Sequence, residues 1–385
     1  MPRLAWFDDA EYAERVRRGR TGMAAVGLDA LWVASEANYV YLSGHHTGMF
    51  AIKSRPLGLV LPREGEAALV VARSHLPQAR VASWVADQRG YEGFEPEALA
   101  LLAETIRSRG LARGRIGAEL GLEQRLGVSP LGFERLRVLL PGVAWVDAAP
   151  LLWRLRMRKS TVEAEYLRRA GRDTARAYRE VFRTAKVGVS ERELRRAFTA
   201  GAAEAGADRV GFFFIHAGDG GHQPSDGTPT ARRLKGRDLL WIDAGAVYRG
   251  YWSDYVRMAS VGEPTPERRR RYGAVYRASR AVLEAVRPGV PVSELARICA
   301  ARLAQEGEAL GSASRIGHGI GLDLTEPPSL NESDPTVLEP GMVLAVEPTV
   351  VAHDGRYVVE ENLVVTESGY ELLSKPAPRE LPVLG

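Results

Sequence analysis

The stretch Ile242-Asp-Ala-Gly-Ala-Val-Tyr-Arg-Gly-Tyr-Trp-Ser-Asp254 places two aspartates in an apolar segment and its return. Asp243 ends a strand-like run that begins at Arg237, and residues 251–256 form the predicted returning strand, which can bring Asp254 beside Asp243. A buried carboxylate is unfavourable unless it is paired or binds a metal, and two adjacent carboxylates repel unless a cation separates them. The pair therefore indicates a metal site, with one capping and one turn aspartate as the alternative.

Three more polar residues interrupt glycine-rich or apolar segments further along the chain. His318 lies in Gly317-His-Gly-Ile-Gly321, Glu347 in Met342-Val-Leu-Ala-Val-Glu-Pro-Thr349, and Glu360 in Val358-Val-Glu-Glu-Asn-Leu-Val-Val365. Neighbouring strand residues face opposite sides, so only one of Glu360 and Glu361 can reach a shared site. Four carboxylates and one imidazole suit two divalent ions such as manganese, cobalt, zinc or iron.

The region after residue 153 contains two similar segments. Lys186-Val-Gly-Val-Ser-Glu-Arg-Glu-Leu194 and Arg287-Pro-Gly-Val-Pro-Val-Ser-Glu-Leu295 each open a predicted helix, with Ser190 and Ser293 as equivalent N-caps 103 residues apart. Asp243 and Glu347 are 104 residues apart, and Asp254 and Glu360 are 106 apart. These near-equal offsets predict two copies of one helix–helix–sheet unit, whose acidic residues meet at a shared centre.

The first 150 or so residues alternate between helix-like and strand-like segments, which is typical of an α/β domain. We predict a helix over residues 10–23 and a hairpin formed by residues 57–61 and 67–71. A chain of 385 residues holds about two domains at roughly 100–200 residues each. We place the boundary between residues 152 and 153, before a long helix that begins with the capping-box pair Ser160 and Glu163.

The overall composition excludes several classes of protein. The single cysteine, Cys299, rules out an internal disulfide and is predicted to be a buried helix residue. Neither a signal-type segment nor an apolar run near the ~18 residues of a membrane span is visible, which predicts a cytoplasmic protein without a membrane partner. Despite a net charge of +4, the run Arg268–Arg271 is interpreted as the solvated first turn of an amphipathic helix, so no nucleic-acid partner is predicted.

With these residues in hand, the chain resembles the creatinase and proline-peptidase superfamily (peptidase family M24), which includes Xaa-Pro dipeptidase, aminopeptidase P and methionine aminopeptidase. Asp243 and Asp254 match the family's first two ligands at their eleven-residue spacing, and His318, Glu347 and Glu360 match the other three. The resemblance implies a creatinase-type N-terminal domain over residues 1–152 and a duplicated α/β "pita-bread" catalytic domain over residues 153–385. It also implies a homodimer in which the partner's N-terminal domain closes the site.

The resemblance further implies a role for each matched residue. Asp243 would bind one metal ion, Asp254 and Glu360 would bridge two, and His318 and Glu347 would hold the second. Glu347 would also accept and return a proton during cleavage of Xaa-Pro bonds in small peptides. Two alternatives stay open: a metal-dependent hydrolase or lyase of another small metabolite, and a non-catalytic binding module.

The chain departs from the family at three positions that concern substrate. Thr325 stands where the family usually has a histidine, seven residues after the ligand His318. Val358 stands where proline peptidases commonly have an arginine, and Arg356 is a candidate substitute because it lies on the same face of the strand. The residues that could replace the family's upstream histidine are His222, our catalytic candidate, and His216, which with Thr325 and Arg356 is a substrate-binding candidate.

Overall fold

The computed structural model describes residues 4–218, 227–311 and 315–385, and the chain divides into two compact units, Met1–Arg156 and Met157–Gly385. The domain limits 1–152 and 153–385 stay a prediction. In the described part of the chain, no helix is long and apolar enough to cross a membrane.

The N-terminal unit contains one mixed sheet surrounded by helices. Its helices are α1 (Asp9–Ala25), α2 (Glu36–Ser43), α3 (Leu76–Ala82), α4 (Glu95–Ser108), α5 (Pro130–Leu139) and α6 (Ala149–Met157). Its strands are β1 (Ala30–Val33), β2 (Gly58–Pro62), β3 (Ala68–Ala72), β4 (Asp87–Tyr91), β5 (Arg115–Ala118) and β6 (Ala144–Asp147). The sheet order is β4-β3-β2-β1-β5-β6. The predicted α/β domain is confirmed.

Local sequence explains the elements of this unit. Helix α1 begins after Asp8, whose side chain accepts a hydrogen bond from the Glu11 backbone N–H at 2.8 Å. Strands β2 and β3 pair antiparallel, which confirms the predicted hairpin. Every residue of β1, β2 and β3 is buried, because helices cover both faces of the sheet, and this explains their continuous apolar sequences.

The C-terminal unit is built from four long helices and two five-stranded sheets. The helices are α7 (Thr161–Thr184), α8 (Glu191–Ala205), α9 (Pro266–Ala285) and α10 (Val292–Gln305). The first set of strands is β7 (Arg209–Gly218), β8 (Leu239–Tyr248), β9 (Tyr251–Trp252) and β10 (Tyr255–Val261). The second set is β11 (Gly317–Gly319), β12 (Glu326–Ser329), β13 (Val343–Val346), β14 (Thr349–Ala352), β15 (Gly355–Val358), β16 (Glu361–Val365), β17 (Tyr370–Leu372) and β18 (Val383–Leu384).

The two halves of this unit repeat one arrangement. Helices α7 and α8 precede the antiparallel strands β7-β8-β10, and helices α9 and α10 precede the antiparallel strands β11-β13-β16. Strand β18 extends the first sheet beyond β10, whereas β12 and β17 lie at the edges of the second sheet. A separate hairpin is formed by β14 and β15. The predicted duplication is confirmed.

The equivalence of Ser190 and Ser293 is wrong. Ser190 is the N-cap of α8 and accepts a hydrogen bond from the Glu193 N–H, but the N-cap of α10 is Pro291. The isolated bridges Ser190↔Arg233 and Pro291↔Val337 occupy corresponding places, so Pro291 is the counterpart of Ser190. Because Pro291 is held extended by its bridge, the helix begins at Val292 and Ser293 is already inside its first turn.

The arginine run is less solvated than predicted. Arg268 is only 2% exposed and donates to the backbone carbonyl of Arg237. Arg271 donates to Asp354 Oδ1 at 2.6 Å, whereas Arg269 and Arg270 are exposed as predicted. Helix α9 therefore uses one face of the run to bind its own unit. Cys299 is buried in α10, as predicted.

Candidate metal centre

The five candidate ligands lie in or directly beside strands from the two halves of the C-terminal unit. Asp243 lies in β8, opposite Val256 of β10, and Asp254 immediately precedes β10. His318 is the middle residue of β11, which pairs with β13. Glu347 follows β13 and Glu360 precedes β16, next to the register pair Val346↔Glu361. The duplicated topology thus places acidic residues from both halves at one position.

Short interatomic distances and mutual charge effects connect the five side chains. His318 Nε2 lies 3.4 Å from Asp254 Oδ2 and 3.7 Å from Glu347 Oε1. One potential ligand atom each from Asp254, His318 and Glu360 lies within 4.8 Å of the others. Asp243 lies close enough to Asp254 and Glu347 for their negative charges to raise its pKa. The structure therefore brings together every residue that the sequence pattern proposed as a ligand.

The carboxylates of this cluster are buried without enough hydrogen-bond donors. Asp243 Oδ1, Asp254 Oδ1 and Glu360 Oε1 are buried and have no hydrogen-bond partner among the described residues. Burial, with repulsion from neighbouring acids, raises the pKa of Asp243 and of Glu360 well above the usual range, and it also raises the pKa of Asp254. Three such groups cannot all ionise in a low-dielectric site unless a cation neutralises them. The residues present fit a divalent metal.

The orientation of His318 favours ligation through Nε2. Its Nδ1 lies 2.8 Å from the backbone carbonyl oxygen of Gly319, so an N–H on Nδ1 donates to that carbonyl. The Nε2 lone pair then faces Asp254 and Glu347. Metal-binding histidines commonly donate the N–H of the other ring nitrogen to a backbone carbonyl in this way. A Cβ at Gly317 would overlap the carbonyl oxygen of Ala345, and one at Gly319 would overlap that of Pro327. The two flanking glycines are therefore needed for the close packing of β11 between β12 and β13.

One residue that supports the centre, Asn362, was not identified from the sequence. Asn362 Oδ1 accepts from the Asp254 N–H at 2.9 Å, and Asn362 Nδ2 donates to the Asp254 carbonyl. Glu360 Oε2 accepts from the Val256 N–H at 2.8 Å, so strands of the two halves are joined at the centre. Asn362 follows Glu360 by two residues and shares its face of the strand, and this alternation was the available signal.

The neighbouring Glu361 serves a different purpose. Its Oε2 lies 3.0 Å from Arg257 Nη2, and its Oε1 accepts from the Ala377 N–H at 2.6 Å. Glu361 thus faces away from the centre and is fully paired. The prediction that only one of Glu360 and Glu361 reaches the site is confirmed.

Two of the candidate substrate residues surround one aromatic ring. The Arg356 guanidinium lies 5.4 Å from the centroid of the Trp241 ring, and the His216 ring centroid lies 5.1 Å from that of Trp241. Trp241 is two residues before Asp243 and shares its face of β8. The positive charge of Arg356 acts against the rise in the pKa of Asp243. Arg356 and His216 therefore lie on the Asp243 side of this sheet.

The remaining residues singled out in the sequence are Thr325, Val358 and His222. Thr325 is half-buried and immediately precedes β12, whereas Val358 is buried and directs its N–H toward Met258 Sδ at 3.3 Å. His222 lies outside the described residues. Its proposed catalytic role stays a prediction.

Comparison with known proteins identifies the family. The profile of metallopeptidase family M24 matches residues 165–367, and that of the creatinase/prolidase N-terminal domain matches residues 15–158. The chain is 30% identical to the probable dipeptidase PepE of Mycobacterium tuberculosis (strain ATCC 25618 / H37Rv) over 394 residues, which covers 98% of each chain.

Solved structures give the same result. Dipeptidase PepE from Mycobacterium ulcerans matches with a TM-score of 0.85 and 28% identity, over 98% of this chain and 99% of that chain. The Xaa-Pro dipeptidase from Bacillus anthracis shares the fold, with a TM-score of 0.85, 22% identity, and coverage of 97% and 100%. The predicted creatinase-type and pita-bread domains are thereby confirmed. Because the M24 profile covers more than half of the chain and spans both copies of the duplicated unit, the chain belongs to metallopeptidase family M24.

Proposed function

We propose that this chain is a dinuclear-metal peptidase that cleaves Xaa-Pro bonds in small peptides. The observation that carries the proposal lies beside His318 Nε2: Asp243, Asp254 and Glu360 each have one buried carboxylate oxygen with no hydrogen-bond partner in the part of the chain that the structure describes. The names of similar proteins, a probable dipeptidase and an Xaa-Pro dipeptidase, support a peptide substrate.

The positions of the side chains support a division of roles in metal binding. Asp254 is close to Asp243, whose pKa its charge raises, and its Oδ2 lies 3.4 Å from His318 Nε2, which supports a bridging role for Asp254 together with Glu360 when metal is bound. Asp243 would then bind one ion only. His318 and Glu347, whose Nε2 and Oε1 atoms are 3.7 Å apart, would hold the second ion. The ions are manganese, cobalt, zinc or iron, all of which accept oxygen and imidazole ligands.

Glu347 is also the proposed proton acceptor. Bound divalent ions would supply an acidified water and a polarised scissile carbonyl. The Glu347 side chain is 27% exposed, whereas those of His318 and Asp254 are 4% and 8% exposed. Of these three, Glu347 can most readily take a proton from the attacking water and return it to the leaving amine or to solvent.

The proposed substrate-binding residues Arg356 and His216 contact Trp241, which lies on the same face of β8 as Asp243. Arg356 is exposed and carries a positive charge beside Trp241, so it can pair with the carboxylate of a short peptide. His216 also packs against the Trp241 ring and adds a hydrogen-bonding group. Thr325 can donate one hydrogen bond but cannot carry a proton at neutral pH. His222 is proposed to take the role of the upstream histidine.

A second candidate function is that of a metal-dependent hydrolase or lyase that acts on another small metabolite at the same metal centre. It is favoured by Thr325 and Val358, which replace a histidine and an arginine commonly found in proline peptidases. Residues around a metal centre set substrate choice, so these changes act on specificity while leaving the five candidate ligands intact.

Hydrolysis assays separate these functions. Purified protein loaded with Mn²⁺ or Co²⁺ is given Xaa-Pro dipeptides and Xaa-Pro-Yaa tripeptides, beside Glu347→Ala and the control Glu371→Ala, which changes an exposed glutamate of the same unit. We expect turnover by the wild type and the control, and its loss in Glu347→Ala and with chelator. The preferred length separates dipeptidase from aminopeptidase. Metal-loaded protein without turnover would reject Xaa-Pro cleavage in favour of the second candidate.

We also propose a cytoplasmic homodimer, in which the partner's N-terminal domain closes the site. The family resemblance supports this assembly, and its mass in solution, measured by light scattering after gel filtration, tests it. A monomeric mass for an active enzyme would contradict it.

A further inference from the structure

The strand that carries His318 lies between two neighbours that share one anchor. Strand β11 pairs with β12 on one side and with β13 on the other. On the β12 side, Gly319 is in register with Glu326. On the β13 side, Gly341 precedes the strand and accepts a hydrogen bond from the Lys159 N–H at 2.8 Å.

Lys159 connects these two neighbours. While its backbone is bound to Gly341, its Nζ lies 2.9 Å from Glu326 Oε2. The two side chains are 2% and 1% exposed, so this is a fully desolvated ion pair. A Cβ at Gly341 would lie 2.8 Å from the Lys159 carbonyl oxygen, which shows how closely the two backbones approach. One residue thus spans β11 from β13 to β12.

The Glu326 carboxylate also holds the loop that follows His318. Its Oε1 accepts from the Asp323 N–H at 3.1 Å. A Cβ at Gly321 would lie 2.7 Å from the same oxygen, so the loop wraps closely around the carboxylate. The loop is fixed from its other side by Trp252, which donates from its backbone N–H to Gly321 and from its indole N–H to Leu322.

These contacts lead to the imidazole of His318. The ring is oriented by its hydrogen bond to the Gly319 carbonyl, and the position of Gly319 is set by pairing with Glu326. We infer that Lys159 and Glu326 are positioning residues, a buried clamp on β11 that holds His318 in its ligating orientation and so sets the metal affinity of the centre. This inference rests on the proposed metal site but not on the proposed substrate.

The ion pair between Lys159 and Glu326 adds little to the stability of the protein, so its main effect is on the orientation of His318. Taking two charges out of water offsets most of their attraction, and a well-packed apolar pair of similar volume is often as stable. An apolar pair cannot, however, replace the two hydrogen bonds that the Glu326 carboxylate accepts, one from Lys159 Nζ and one from the Asp323 N–H. Stability and His318 orientation can therefore be separated by substitution.

The test compares Lys159→Met, Glu326→Gln, the double variant Lys159→Met/Glu326→Leu, and Lys159→Arg, which keeps the ion pair. The control is Asp238→Asn, which breaks the ion pair between buried Asp238 and half-buried Arg232. Asp238 directly precedes β8 and lies about 16 Å along the chain from Asp243, at roughly 3.3 Å per residue. The measurements are Co²⁺ affinity and visible absorption spectrum, thermal unfolding of the metal-free protein, and kcat and KM on any substrate that the wild type cleaves.

We expect the double variant to unfold near the wild-type temperature yet to bind Co²⁺ about 10- to 100-fold more weakly, which is the range found for residues that orient metal ligands. Its cobalt spectrum changes and kcat falls while KM stays constant. Lys159→Arg keeps the affinity, and Asp238→Asn loses stability without losing affinity.

Wild-type Co²⁺ affinity in both the double variant and Glu326→Gln would overturn the clamp. A loss of Co²⁺ affinity in Asp238→Asn as large as that in the clamp variants would also overturn it, because the affinity would then follow thermal stability alone. If the double variant does not fold, the isosteric Glu326→Gln decides in the same way. Wild-type protein that binds Co²⁺ without cleaving Xaa-Pro peptides rejects the proposed substrate alone, whereas unchanged affinity in the variants of a cleaving enzyme rejects the clamp alone.

Discussion

The two units bury carboxylates in opposite ways. Glu119 in the N-terminal unit is 2% exposed and accepts four hydrogen bonds, from the Ala34 and Ser35 N–H groups at 2.8 and 2.9 Å, from Asn38 Nδ2 at 2.7 Å, and from the Ser35 hydroxyl. In the C-terminal unit, Asp243 and Glu360 each keep a buried oxygen without a partner among the described residues. A complete set of donors marks a structural acid, and an incomplete set marks a site that requires a cation.

The largest effect is expected from Glu360→Gln. The amide keeps the shape of the side chain and can still accept from the Val256 N–H, but it removes one of the crowded charges. Metal-free protein should be as stable as the wild type or more stable, because repulsion from Asp254 and Asp243 is relieved. Losing a metal-binding charge removes several kcal/mol of transition-state stabilisation, so activity should fall about 10³-fold.

Calorimetry with and without Mn²⁺ checks the same variant. Wild-type protein at 100 times the Kd gains about 2.7 kcal/mol in the free energy of unfolding, and Glu360→Gln should lose that gain. A variant that Mn²⁺ stabilises as much as the wild type would show that Glu360 is no ligand.

The same substitution in the other unit should have the opposite effect on metal-free stability. Glu119→Gln places an amide N–H₂ against at least one donor, Asn38 or Ser35, so hydrogen bonds are lost in a buried place. We expect a loss of about 1–3 kcal/mol in the free energy of unfolding, with metal affinity unchanged. Urea unfolding of Glu119→Gln beside the exposed control Glu123→Gln measures it. Equal stabilities would remove the contrast between the two units.

A smaller effect is expected on the pH dependence of stability, through His45 in the N-terminal unit. His45 is buried, with Nδ1 2.7 Å from the Tyr39 hydroxyl and Nε2 2.7 Å from Gln78 Oε1, and burial lowers its pKa from the usual 6.5. The unfolded chain therefore takes up a proton below pH 6.5 that the folded chain resists, and stability falls as the pH drops. The slope is at most about 1.4 kcal/mol per pH unit.

The contribution of His45 is measured by difference. Urea unfolding at pH 7.5 and 5.5 is compared for the wild type and His45→Gln, with exposed His353→Gln as the control. We expect the wild type and the control to lose more stability on acidification than His45→Gln does. Identical losses in all three proteins would mean that His45 does not limit stability in acid.

Features that depend on local sequence were predicted correctly. The capping box Ser160–Glu163 forms as its spacing predicted, Ser190 is the N-cap of α8 as predicted, and strand alternation correctly separated Glu360 from Glu361. Ser293 failed because serine is favourable at an N-cap only where the backbone is extended, and the extended residue is Pro291.

Features that depend on distant contacts were not visible in the sequence. Lys159 and Glu326 are 167 residues apart, and no local pattern indicates their pairing. The burial of Arg268 in α9 likewise depends on the carbonyl of Arg237, which lies in the turn before β8. Five candidate ligands could be found because each interrupts an apolar or glycine-rich segment of the sequence, whereas the residues that position them look like ordinary surface or core residues.

The division of the centre between the two halves of the duplicated unit has a consequence for the integrity of the chain. Asp243 and Asp254 come from the first half, and His318, Glu347 and Glu360 from the second. An ion held by both sets would act as a reversible cross-link that closes a long loop of polypeptide, and such closures remove conformational freedom from the unfolded chain. A protease cut in the segment between the halves would then leave two fragments that the ion ties together in addition to their packing, and a chelator would weaken their association.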